Sequence, residues 1–289
     1  MTRESEIAAA TVGGAITAAA ARLAASGIAE PRREARLILG LALGVDPGEL
    51  LAWPERALDA AARAQFEALV RRRAGHEPFS RLRGRREFWS LDFELSPETL
   101  DPRPDSETLI EAALAAIADR GAKLRVLDFG TGTGCLLLAL LSELPNATGL
   151  GIDRLPGAVA TARRNAARLR LEGRAHFREG DWDREILGPV DVILANPPYI
   201  SSEEISRLAP EVAKFEPRAA LDGGMDGLDA YRVLAPAIAR LLASGGFAAV
   251  EIGFGQSASV VALFSESGLK IRSLRPDLSG TPRCLVAGL

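Results

Sequence analysis

At 289 residues the chain exceeds one minimal domain and suits a small domain joined to a larger one. Hydrophobic residues make up 47% and charged residues 25%, which excludes a disordered chain and provides for a sizeable core. A formal net charge of −3 argues against affinity built mainly on neutralising many phosphates.

No apolar run approaches the roughly eighteen residues of a membrane helix, and Met1 to Glu6 is polar rather than signal-like. A cytoplasmic protein without membrane attachment is expected. Cys135 and Cys284 each lie in an apolar run without a cysteine or histidine at ligand spacing, so both are expected to be buried thiols. His76 and His176 are equally isolated, and no metal site is expected.

Thr11 to Gly75 is rich in Ala, Leu and Arg, with apolar residues at helical spacing such as Ala35, Ile38, Leu39 and Ala42. Glu30-Pro31 suits a helix start and Gly44 a stop, Asp46-Pro47-Gly48-Glu49 suits a further start, and Gly75 closes the last helix. Seven arginines between Arg71 and Arg86 face a single acid, Glu77. They suit a solvated surface, or a patch that steers an acidic partner.

Short alternating runs follow, Glu87-Phe88-Trp89 and Leu91 to Leu95, broken by Ser96-Pro97 and Pro102-Arg103-Pro104. This is the pattern of a hairpin, and Pro104 suits the first turn of the next helix. The division expected is a helical recognition domain over 1–76, a hairpin linker over 77–103 and an α/β domain over 104–289.

Strands are predicted at 124–128, 148–153, 175–177, 190–195, 247–252, 269–274 and 283–287. Helices alternate with them at 135–144, 156–171, 228–243 and 256–267. Such alternation predicts a Rossmann-like, doubly wound α/β domain with a mostly parallel seven-stranded sheet. The connection over 277–282 is too short for a parallel crossover, so the last strand should run antiparallel.

Three alternate glycines in Gly130-Thr131-Gly132-Thr133-Gly134 follow the first buried strand and open a helix, letting a ligand approach bare backbone. A dinucleotide loop would need a third glycine where Cys135 stands, so the spacing favours S-adenosylmethionine. Asp153 ends the next strand, where a carboxylate can accept from both ribose hydroxyls. Trp182, after the third, can cover an adenine face.

The fourth strand runs straight into Asn196-Pro197-Pro198-Tyr199. Two prolines stop the strand and restrict the backbone, so the Asn196 side-chain oxygen and the Pro197 carbonyl can be held toward one point. Two fixed acceptors would orient a planar NH2 group with its nitrogen toward a sulfonium methyl, with Tyr199 packing over the amide plane. By this reasoning Asn196→Asp, which keeps an acceptor, should retain more activity than Asn196→Ala.

At these residues the chain resembles the release factor glutamine methyltransferases. The likeness runs through the helical front half, Arg86-Glu87-Phe88-Trp89, Pro102-Arg103-Pro104-Asp105, the glycine loop, Asp181-Trp182, Asn196 to Ile200, Phe215-Glu216-Pro217, Asp226-Gly227-Leu228 and Glu251-Ile252-Gly253. It implies a class I methyltransferase that takes S-adenosylmethionine, releases S-adenosylhomocysteine and methylates the glutamine nitrogen in the Gly-Gly-Gln motif of class I peptide-chain release factors. It also implies Gly130 to Gly134, Asp153, Trp182 and Asn196 as cofactor contacts and Asn196 to Tyr199 as the glutamine pocket, with Asn196, Pro197 and Tyr199 catalytic. Asp101 departs from the apolar residue the family often has there. No metal and no sequence-specific nucleic-acid binding are expected, and the chain is expected to act as a monomer. A nucleic-acid amino-methyltransferase, a ribosomal-protein glutamine methyltransferase and a non-catalytic cofactor-binding module are the competing readings.

Overall fold

The computed structural model describes residues 11–182 and 188–289; the polar start from Met1 to Glu6 lies outside them. The chain forms two compact units, one ending at Gly84 and the other beginning at Arg85.

The first unit is helical: α1 (Val12–Ala25), α2 (Pro31–Leu43), α3 (Ala60–Ala74) and a short α4 (Phe79–Arg83). Proline opens α2 and Gly44 closes it at φ 66°, a left-handed turn that glycine adopts without penalty. The Asp59 side chain caps α3 by accepting from the Ala62 N–H at 2.8 Å. Leu23, Ile38, Leu39, Phe66 and Val70 form the core. Buried Arg73 donates to Glu34 at 2.9 Å, tying α3 to α2. Asp46-Pro47-Gly48-Glu49 opens only a 3₁₀ turn, Glu49–Leu51, because Pro54 follows within a turn and bars continuation. The arginine-rich stretch is largely paired within its own unit: Arg72 with Glu77 and Arg73 with Glu34 in the first, Arg85 with Asp92 and Arg86 with Asp101 in the second.

The second unit opens with a hairpin, β1 (Arg85–Phe88) against β2 (Leu91–Glu94). Trp89 and Ser90 both take positive φ, 53° and 56°, at its two-residue turn. The strain is offset by anchoring, since the Trp89 backbone N–H donates to Glu107 at 2.8 Å and its indole N–H to Glu143 at 2.9 Å. Pro104 begins a 3₁₀ turn, Pro104–Ser106, before α5 (Glu107–Ala116).

Next come β3 (Arg125–Phe129), α6 (Cys135–Glu143), β4 (Thr148–Asp153), α7 (Pro156–Arg168), β5 (Ala175–Glu179) and β6 (Val190–Ala195). A short α8 (Pro210–Phe215) precedes α9 (Asp229–Leu241), β7 (Leu242–Glu251), α10 (Ser257–Glu266), β8 (Lys270–Pro276) and β9 (Pro282–Gly288). The seven-stranded sheet has the order β5-β4-β3-β6-β7-β9-β8. Neighbours from β5 to β7 pair in parallel, and β9 runs antiparallel to both of its neighbours, as the short last connection requires.

Alternation along the central strands feeds two cores. Val126, Val192, Leu194, Phe247 and Ala249 pack toward α5, α6 and α7, while Leu127, Ile193, Ala195, Ala248 and Val250 pack toward α9 and α10. Burial on both faces explains why these strands read as continuous apolar runs. The chain leaves β3 toward β4 on one side, while β6 returns to β3's other side. The crevice beyond the carboxyl ends of β3 and β6 is therefore the switch point at which such sheets bind ligands.

Candidate active site

A cleft of about 350 Å³ opens at that point, within the range of small-molecule sites. Gly130, Thr131, Gly132 and Thr133 form its floor, Asp153 and Trp182 one flank, Asn196 and Pro198 another, with Glu98, Pro102, Arg103 and Ser106 in front.

The glycine loop is held from both sides. Thr131 donates its N–H to the Ile152 carbonyl at 2.9 Å and its hydroxyl to buried Asp128 at 2.6 Å. Burial pushes the Asp128 carboxyl up to about 7, partly offset by that hydroxyl. Gly132, at φ 54°, donates its N–H to Asp153 Oδ2 at 2.9 Å, while Asp153 Oδ1 accepts from Leu155 at 3.0 Å. Each carboxylate oxygen thus keeps accepting capacity for a further donor. Burial raises the Asp153 pKa, against the two backbone N–H groups that lower it.

Gly134 differs from its neighbours. A Cβ there would meet Phe177, Ala162 and Leu138 at 3.1–3.2 Å, so this glycine serves helix packing and the floor ends at Thr133. Cys135, expected to be buried, is instead half-buried and lines the cleft, because α6 begins at the cleft floor. Burial pushes its thiol up to about 12, which leaves it a poor nucleophile near neutral pH. Cys284 is buried, as expected. Trp182 takes φ 54° and packs its ring at 59° to Phe129, centroids 6.4 Å apart, with its remaining surface on the cleft.

The Asn196 side-chain N–H donates to Ser106 Oγ at 3.0 Å. Ser106 Oγ donates to Glu251 Oε2 at 2.5 Å, and the Tyr199 hydroxyl donates to Glu251 Oε1 at 3.1 Å. Glu251 is 1% exposed, and burial raises its carboxyl above the usual range. The Tyr199 phenol is also raised, by burial first and then by the Glu251 charge. Pro197 is buried, so of the two prolines Pro198 meets the cleft. Gln256 bridges the Tyr199 and Gly227 carbonyls at 2.9 and 3.3 Å, bracing the motif from behind.

Several residues in or beside this cleft had no role assigned from sequence. Glu98 accepts from the Gly157 N–H at 2.8 Å; Glu216 accepts from Arg103 at 2.8 Å and from the Asp101 N–H at 3.1 Å. Asp101, the residue that departs from its expected apolar type, is 4% exposed and stands 3.7 Å from Arg86. Glu251 did leave a signal, being a lone acid that ends the apolar run Phe247 to Val250 at the sheet's carboxyl edge. Among the described residues no cluster of His, Cys, Asp or Glu could hold a metal, and no helix is long and apolar enough to cross a membrane.

Residues 14–84 match the PrmC N-terminal domain, and residues 103–215 match the methyltransferase small domain. A solved methyltransferase from Pyrococcus furiosus superposes with a TM-score of 0.50 at 16% identity, covering 78% of this chain and 98% of that one, a likeness of fold alone. Sheet order, switch-point cleft and domain match together define a class I methyltransferase. A release factor glutamine methyltransferase of Rhodospirillum rubrum is 49% identical over 98% of this chain and 87% of its own length. The enzyme of the same description from Cereibacter sphaeroides is 44% identical over 95% of this chain and 97% of its own. The chain belongs to the release factor glutamine methyltransferase family.

Proposed function

We propose that the chain transfers a methyl group from S-adenosylmethionine to the side-chain amide nitrogen (N5) of the glutamine in the Gly-Gly-Gln motif of class I peptide-chain release factors, acting in the cytoplasm as a monomer. The observation that carries this is the placement of Asn196, whose amide nitrogen is taken up by Ser106, so that its oxygen is left to accept in a cleft beside the glycine loop.

The cleft fits the donor by its own chemistry. Gly130 and Gly132 bring bare backbone to its floor, Asp153 keeps accepting capacity for two ribose hydroxyls, and Trp182 offers an indole face for an adenine. When bound, the donor supplies an electrophilic methyl on a sulfonium.

The residues of the motif would act by positioning. Asn196 accepts one glutamine N–H through its side-chain oxygen, and the Pro197 carbonyl is the second acceptor. Pro198 shapes the cleft wall and Tyr199 flanks the amide plane. The phenol of Tyr199 is engaged with Glu251, so it serves as a wall rather than a base. The helical unit that ends at Gly84 recognises the protein substrate, and the part that begins at Arg85 carries the catalysis.

The test is mass spectrometry of the Gly-Gly-Gln peptide from a release factor incubated with enzyme and donor. A gain of one methyl on the glutamine is expected. An unmodified peptide, with methyl appearing instead on a ribosomal protein or on nucleic acid, would overturn the assignment.

A further inference from the structure

Glu251, Ser106 and Asn196 come from the end of β7, the 3₁₀ turn before α5 and the residue after β6, and meet in one chain of hydrogen bonds, buried at Glu251 and Ser106 and half-buried at Asn196. Glu251 is 1% exposed and Ser106 2%.

The donors run one way, Asn196 N–H to Ser106 and Ser106 O–H to Glu251, and that is the polarity an ionised Glu251 imposes. An ionised carboxylate accepts and cannot donate. Its two oxygens face two hydroxyls, Ser106 at 2.5 Å and Tyr199 at 3.1 Å, so both hydroxyl protons point at Glu251. Once the single Ser106 proton is committed to Glu251, the serine oxygen toward Asn196 can only accept. The Asn196 group facing it must therefore be NH2, and the amide oxygen must face the cleft. A flipped amide would set oxygen against oxygen at Ser106 and present donors to a substrate that also presents donors.

We propose that Ser106 and Glu251 are positioning residues that fix which end of the Asn196 amide faces the substrate, with Glu251 holding the Tyr199 wall through its other oxygen. This deepens the proposed function and rests on it, because the direction of the amide matters for a substrate that offers an NH2 group.

The test is a double-mutant cycle, read as single-turnover methyl transfer at saturating donor. Ser106→Ala frees the amide to flip, and the rate should fall about ten- to fiftyfold with donor affinity within about twofold of wild type. Ser106→Thr keeps the hydroxyl and should recover most of the rate. In an Asn196→Ala background Ser106→Ala should cost nothing further, since residues acting through one another are not additive. A full additional loss in that background, or an unchanged rate in Ser106→Ala alone, would overturn the proposal.

The relay can also be read without turnover, in the wild-type protein and in Ser106→Thr. The Asn196 side-chain amide signal, identified by its loss in Asn196→Ala, should show slowed hydrogen exchange; exchange as fast as that of a solvent-exposed asparagine overturns the relay. A wild-type enzyme that left release-factor glutamine unmodified while showing the slowed amide would sink the substrate assignment and leave the amide orientation standing.

Discussion

Replacing Asn196 with aspartate puts a second carboxyl at the end of a chain that already holds one. Hydrogen bonds of 3.0 and 2.5 Å link Asn196 to Ser106 and Ser106 to Glu251, so the two carboxyls would stand within about 5.5 Å. At an effective dielectric constant of about 20, unit charges at that separation repel by about 3 kcal/mol. That is enough to move protonation of the introduced carboxyl about two pH units upward. The single Ser106 proton cannot serve both acids either. Arg283 partly relieves the charge on Glu251 and Asp105 adds to it, and neither replaces the missing donor.

At pH 8 the charged variant should therefore be slower than Asn196→Ala, itself expected to lose about a hundred- to a thousandfold in rate. This reverses the order expected from the sequence. Near pH 5.5 the protonated aspartic acid carries an O–H for Ser106 and a carbonyl for the cleft, and should regain activity relative to wild type at the same pH. Single-turnover transfer at both pH values, with donor affinity measured separately, decides the matter. An aspartate variant well above alanine at pH 8, with no recovery in acid, would show that Asn196 is not coupled to Glu251.

Three further outcomes are expected. Asp153→Ala should weaken S-adenosylmethionine binding by about 1–3 kcal/mol, since it removes a hydroxyl acceptor and the latch on Gly132; unchanged affinity by calorimetry would take Asp153 out of the donor site. Burial lifts the Asp128 pKa to about 7, so between the ordinary carboxylate range and about pH 7 the folded chain holds a proton that the unfolded chain has lost. Stability should then fall as pH rises through that window and level off above it, and Asp128→Asn should flatten the dependence in melting curves taken from pH 5 to 8. Glu34→Ala should destabilise the helical unit by about 1–3 kcal/mol, because it removes a carboxylate that pairs with the buried Arg73 guanidinium at 2.9 Å; a denaturant midpoint equal to wild type would show the pair to be inert.

The sheet was legible because its strands, apolar on both faces, stand out between helices, and because the closing connection was too short for a crossover. Boundaries moved where local rules competed. Pro104 opened a 3₁₀ turn before the helix proper, and the capping pattern at Asp46 met Pro54 too soon to grow. The segment from Ile200 to Leu228 carries no periodic signal that would announce its short α8. In the site, the motifs that touch the cleft were readable because backbone geometry demands glycine and proline there. Gly134 belongs to its motif for packing, and buried Pro197 for its carbonyl, the proposed second acceptor. The supporting residues Ser106, Glu216 and Glu251 are common polar types whose meaning lies in partners far away in sequence, and no local pattern announces such partners.

Those separations are themselves consequential. Ser106 reaches Asn196 across 90 residues and Glu251 across 145, and Tyr199 reaches Glu251 across 52. Contacts of such span form only once the intervening chain has closed its loops. During synthesis the glycine loop and the Asn-Pro-Pro-Tyr segment are both made before β7 delivers Glu251. A partly made chain can thus carry both motifs and still leave the Asn196 amide free to turn. Activity then serves as a checkpoint on the completed sheet, and any slow step in docking β7 between β6 and β9 would show as a lag in methyl transfer after secondary structure has fully appeared.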